Sequence, residues 1–116
     1  MAILTVRAIA STGLVDSALA TAAAGGDAFA LEPSKRTYLR VANGHAANAR
    51  TVTIASQLTA GAVPTGTEKE DLAVVVAALS TRLIAIDANA YRDANGRAVV
   101  TYSDSAANLT VAPYSI

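Results

Sequence analysis

Apolar and polar positions trade places every residue along much of this chain. "RTVTIASQL" is the clearest case: Val52 and Ile54 fall on one side, Thr51, Thr53 and Ala55 on the other. A period of two is that of a half-buried strand. The β-branched residues suit its pleated surface. "TYLRVANG" repeats the pattern, with Leu39 and Val41 opposed to Tyr38 and Arg40, and Asn43-Gly44 closing the strand as a turn pair. Phe29 and Leu31, two apart, belong to the strand before it, and Pro33-Ser34-Lys35 turns the chain between the two. "TRLIAI" follows a turn at Leu79-Ser80. Val100 and Tyr102 share a face after the turn Asp93-Ala94-Asn95-Gly96. "SDSAAN" turns the chain again, and Leu109 and Val111 define a last strand before Pro113.

Two stretches are less settled. Between Gly61, Pro64 and Gly66 in one loop and the turn at Leu79, Thr67-x-x-Glu70 matches a helix capping box, and Leu72, Val75, Val76 and Leu79 have helical spacing. Leu72, Val74 and Val76 alternate equally well, and three successive valines favour the strand; both readings of 68–79 stay open. At the start, Ile3, Thr5 and Arg7 alternate with Leu4, Val6 and Ala8 as a strand would, whereas "LVDSALATAAA" admits a short helix or a second strand. Gly25-Gly26-Asp27 then forces a turn. From residue 28 onward about seven short strands occur, with turns every 8–12 residues or so, which favours an antiparallel sandwich or barrel. The expected fold is all-β: a small antiparallel β-sandwich, jelly-roll or Ig-like, of seven to eight strands. Residues 1–24 form an N-terminal arm or first strands, and 25–116 the sandwich domain.

Composition adds a size argument. A chain of 116 residues makes one domain and can bury one core without staples. Its aromatics are four Tyr and one Phe, so the core is built of Ala, Val, Leu and Ile in thin layers. Burial scales with apolar area, so such a core gains less per residue, and association would add to it. Nine basic residues balance nine acidic ones, which argues against the basic stripe a nucleic-acid binder needs. The longest charged cluster, Glu68-Lys69-Glu70-Asp71, reads as a solvated turn. The apolar opening stretch lacks the basic start of a signal peptide and is broken by Arg7 and Asp16. No stretch approaches the roughly 18 apolar residues of a membrane span.

Reactive chemistry is sparse. With no cysteine there is neither a disulfide framework nor a thiolate site. His45 is the sole histidine and reads as a solvated loop side chain, without the paired spacing of a zinc site. Asp16, Asp27, Asp87, Asp93 and Asp104 are spread singly along expected loops, and a calcium site would need them to converge. No nucleophile elbow or phosphate loop occurs. The expectation is therefore no enzyme, no catalytic, cofactor-binding or metal residues, and no cofactor. Tyr38, Tyr91, Tyr102 and Tyr114 are candidates for a sugar or base platform, or for covering core edges; no two sit at i, i+2 on one strand.

Five pieces together resemble the decoration, or cement, proteins of tailed-phage heads. They are Gly26-Asp27; Leu39 to Gly44; Thr51 to Thr53; Ala78 to Arg82; and Val100 to Ser103 with Leu109 to Val111. The likeness spans roughly residues 22–116. It departs at Leu79, where that pattern has glycine, leaving the turn type there open. The resemblance implies a β-sandwich on the capsid exterior of a virion. Its partner would be the major capsid protein, it would form a homotrimer at threefold or quasi-threefold positions, and it would bind no nucleic acid and no membrane. Binding only the assembled lattice would stabilise that lattice by mass action. Other phage head or tail sandwiches, and a carbohydrate- or cell-surface-binding module, are the competing readings.

Overall fold

The computed structural model describes residues 2–14, 20–59, 64, 66, 68–103 and 108–116. It is nearly all β, with 47% of the described residues in strands and 4% in helix. The strands are β1 (Ala2–Leu4), β2 (Arg7–Ala8), β3 (Ala20–Thr21), β4 (Asp27–Ala30), β5 (Thr37–Asn43), β6 (Arg50–Ile54), β7 (Leu72–Val76), β8 (Thr81–Ile86), β9 (Arg97–Tyr102) and β10 (Leu109–Ser115); one helical turn, α1 (Ala88–Tyr91), follows β8. Two sheets pack face to face. One has the order β1-β4-β9-β6-β7, the other β2-β10-β5-β8, with β3 beside β10.

The alternation seen in the sequence decides which side chains lie between the sheets. In β5, Leu39 and Val41 are fully buried while Tyr38, Arg40 and Ala42 on the other face are half-buried. In β6, Val52 and Ile54 point inward and Thr51 and Thr53 outward. Phe29, Leu31, Val76, Val100, Leu109 and Val111 complete the centre of the core. The strand reading of 72–76 is the observed one. β7 pairs antiparallel with β6, Val52 opposite Val74, and buries only Val76 fully. Thr67, which supplied the helix cap in the competing reading, lies outside the described residues, as do Asp16, Asp104, Gly61 and the centres of "LVDSALATAAA" and "SDSAAN".

Three features differ from the expected plan. First, the sandwich is not wholly antiparallel. β1 runs parallel to β4 (Ile3 opposite Ala28) and β2 parallel to β10 (Arg7 opposite Tyr114). The alternating run 3–8 is thus split, crossing from one sheet to the other at residues 5–6 and tucking Leu4 and Val6 against the core. Second, β10 does not stop at Pro113 but runs through it. Arg36 and Ile116 exchange backbone hydrogen bonds of 2.8 and 3.2 Å, so by alternation Pro113 and Leu39 form a pair that exchanges none. The proline nitrogen faces the other side, in the gap between β3 (opposite Val111) and β2 (opposite Tyr114), where no ladder donor is required. Third, Asp87 is not a free loop acid but caps α1, its Oδ1 accepting the Asn89 amide at 2.9 Å.

Candidate interaction surface

The polar residues singled out in the sequence are tied into the fold rather than gathered into a site. His45 is half-buried, and its Nδ1 accepts the amides of Ala47 (3.1 Å) and Asn48 (2.9 Å), so the ring shapes its own turn. Asp93 Oδ1 accepts from Asn95 (2.8 Å) and Arg97 (2.9 Å), closing the turn into β9. Asp27, expected in a loop, is instead in β4 and fully buried. Its Oδ2 accepts the Tyr102 hydroxyl at 2.7 Å and the Ala23 amide at 3.2 Å. Burial, together with the hydrogen bond and the charge of Asp27, pushes the Tyr102 phenol well above its ordinary range. Among the described residues, no three His, Cys, Asp or Glu side chains stand close enough to hold one metal ion.

Asn43 carries structural weight that the sequence showed only as a turn signal. It is buried, and its Nδ2 donates to Asn48 O (3.0 Å) and Val76 O (3.1 Å) while its Oδ1 accepts the His45 amide (3.0 Å). Its own amide donates to Ser80 O at 2.9 Å. One side chain and its backbone therefore hold together the end of β5, the end of β7 and the start of β8.

The tyrosines are not equivalent. Tyr91 is buried in α1, with the Lys69 ammonium 5.3 Å from its ring centre. Tyr38 and Tyr114 lie directly opposite each other on β5 and β10, on the outer face of their sheet. The sequence contains no i, i+2 aromatic pair; this pair comes from strand pairing across the chain. Tyr38 borders a hollow of about 320 Å³ with Lys35, Arg36, Asp87 and Asn89. Tyr114 is nearly covered and lines an apolar groove of about 380 Å³ with Ile9, Leu14, Arg40 and Leu83.

Three of the six exposed large apolar side chains among the described residues lie along one lateral wall, while Ile3, Ile9 and Ile116 lie elsewhere. Val75 (56% exposed), Leu79 (71%) and Leu83 (69%) lie on β7, the connecting turn and β8. These consecutive strands are the edges of the two different sheets. Leu79 takes a left-handed conformation, with φ of 56°, which answers the question its departure from glycine raised.

The fold places the chain among small all-β sandwiches of two mixed five-stranded sheets. Compared with known protein families, curated proteins and solved structures, the chain matches none.

Proposed function

We propose that this is a structural virion protein that decorates the outside of a phage capsid and stabilises adjacent capsomers through its surface. The observation that carries this reading is the apolar groove of about 380 Å³ on the outer face of the second sheet, where Leu83 and Ile9 stand exposed beside Tyr114. Large apolar side chains held in water on neighbouring elements mark a contact surface. The resemblance of the strand and turn pieces to decoration proteins supplies the kind of partner, the major capsid protein of an expanded shell. The body that presents the surface is a sandwich whose buried polar groups serve turns and strand ends.

The test is co-sedimentation with expanded phage shells stripped of their own decoration protein. Saturable binding, with a rise in the temperature at which the shells open, is the expected result. Protein left wholly in the supernatant would refute the reading. A second reading, a carbohydrate-binding module, draws on Tyr38 beside Lys35 and Arg36 at the hollow of about 320 Å³. Glycan-array binding lost on Tyr38→Ala would favour it over the capsid.

A further inference from the structure

The wall formed by β7 and β8 has a backbone phase that can be read from its neighbours. Ser103 donates to Thr51 O (2.9 Å) and Ala55 donates to Val99 O (3.0 Å). The odd-numbered residues of β6 therefore direct their backbone groups toward β9, and the even-numbered ones toward β7. Val52 opposes Val74 and Ile54 opposes Leu72, so the even residues of β7 are engaged, and Ala73 and Val75 point their N–H and C=O groups outward. In the other sheet, Asn43 donates to Ser80 O, which turns the odd residues of β5 toward β8. Val41 opposes Arg82 and Leu39 opposes Ile84, leaving the backbone groups of Thr81, Leu83 and Ala85 outward. No further strand follows β7 or β8 in either sheet among the described residues. Two open edges thus lie side by side, with Val75 and Leu83 exposed at positions whose backbone groups point outward and whose side chains lie on the outer faces of their respective sheets. Natural sheets usually blunt such edges with charge, proline or a cover.

The wall is also electrically polar along its length. Glu68, Glu70 and Asp71 lead into β7 and Asp87 follows β8, all at one end; Lys69 there is turned to the Tyr91 ring, and Lys35 and Arg36 stand beside Asp87. That these lie at one end is fixed by Ser56 donating to Asp71 Oδ1 (2.8 Å) and Gln57 donating to Ala90 O (2.8 Å). At the opposite end Arg82, the second residue of β8, is exposed.

We infer that this wall is a self-association surface, on which a second copy pairs edge to edge about a twofold axis normal to the sheets, β7 with β7 and β8 with β8. Charge complementarity selects this arrangement. A twofold axis along the strands would also cover both edges, but it would set acidic end beside acidic end. The axis normal to the sheets reverses the wall, so the acidic end of one copy meets Arg82 of the other. The strand phase admits Ala73 opposite Val75 of the second copy as a hydrogen-bonded pair, a register centred on Val74. Such a contact is isologous and closes on itself. It covers both edges at once, which one added strand from another protein would not.

Light scattering on the free protein tests this apart from any capsid, so its failure and that of the decoration reading are distinguishable. At micromolar concentration the expected mass is twice 11.7 kDa. The double variant Val75→Lys, Leu83→Lys should be monomeric with an unchanged circular dichroism spectrum. Ala73→Pro removes only an outward N–H and should also give a folded monomer, which covers the case of a double variant that fails to fold. Arg82→Glu should weaken association roughly tenfold, and adding Glu70→Arg should recover it. A monomeric wild type, or a dimer or trimer whose mass these edge substitutions leave unchanged, would overturn the inference.

Discussion

Replacing Tyr102 by phenylalanine isolates one buried interaction. The hydroxyl donates to Asp27 Oδ2 at 2.7 Å, and the carboxyl is fully buried. Asp27 Oδ1 has no hydrogen-bond partner among the described residues, and the remaining donor to Oδ2 is the Ala23 amide at 3.2 Å. A hydrogen bond to a charged group contributes about 1.5–3 kcal/mol, and losing one partner leaves the other desolvated. Tyr102 is half-buried, which places the expected loss near the lower part of that range, about 2 kcal/mol. For a chain of this size that lowers Tm by roughly 6–12 °C. Urea denaturation at neutral pH measures it, and the double variant with Asp27→Asn gives the coupling. The same pair predicts an alkaline limit. The folded phenol is raised above its unfolded value near pH 10, so below that pH both states hold the proton and stability is intact. Above pH 10 or so the unfolded state releases its proton first, and stability falls as pH rises. The difference in absorbance at 295 nm between the wild type and Tyr102→Phe should show the Tyr102 phenol ionising only with unfolding. A coupling under about 0.5 kcal/mol, or a Tyr102 phenol that titrates in the folded protein, would refute the reasoning.

Asn43→Ala removes three side-chain hydrogen bonds at a buried position and should cost about 2–4 kcal/mol in chemical denaturation. Gly26→Ala should cost at least about 2 kcal/mol, since φ is +95° and an added Cβ would lie 2.7 Å from Val100 O; an unchanged Tm would count against the turn geometry. Leu79→Gly should stabilise by roughly 0.5–1 kcal/mol, because relief of the left-handed strain at φ 56° exceeds the entropy glycine adds to the unfolded chain, a gain calorimetry can read.

Much of the sheet structure was legible because its signals are local. Leu39 and Val41, or Val52 and Ile54, announce a buried face two residues at a time, and Asn43-Gly44 or Asp93 to Gly96 announce where it stops. What escaped depends on residues distant in the chain. Asp27 looks like a loop acid until Tyr102, 75 residues away, is brought to it by the pairing of Asp27 with Val100. Pro113 looks like a strand end because the gap between β2 and β3 that accommodates it is made by the other end of the chain. The ambiguity at 68–79 was decided by Arg50 to Ile54 offering a partner edge to 72–76, which no periodicity within the segment records. The candidate surface was hidden for the same reason. Nothing in "LAVVV" or "TRLIAI" says that each strand is last in its sheet.

The parallel pairing of β2 with β10 has a mechanical consequence. Arg7 and Ala8 lie alongside Tyr114 and Ser115, and Ile9 donates to Ser115 O at 2.8 Å. The chain leading into β2 and the chain leaving β10 depart in opposite directions. Tension applied along the polypeptide therefore drags these two strands past one another, straining their bonds together instead of peeling them one at a time. The pairing of β1 with β4 lies further toward the start of the chain and runs parallel as well, so a pull must break a second row of contacts loaded the same way. A thin body made of small side chains is thereby latched against stretching at the seam where its two layers meet.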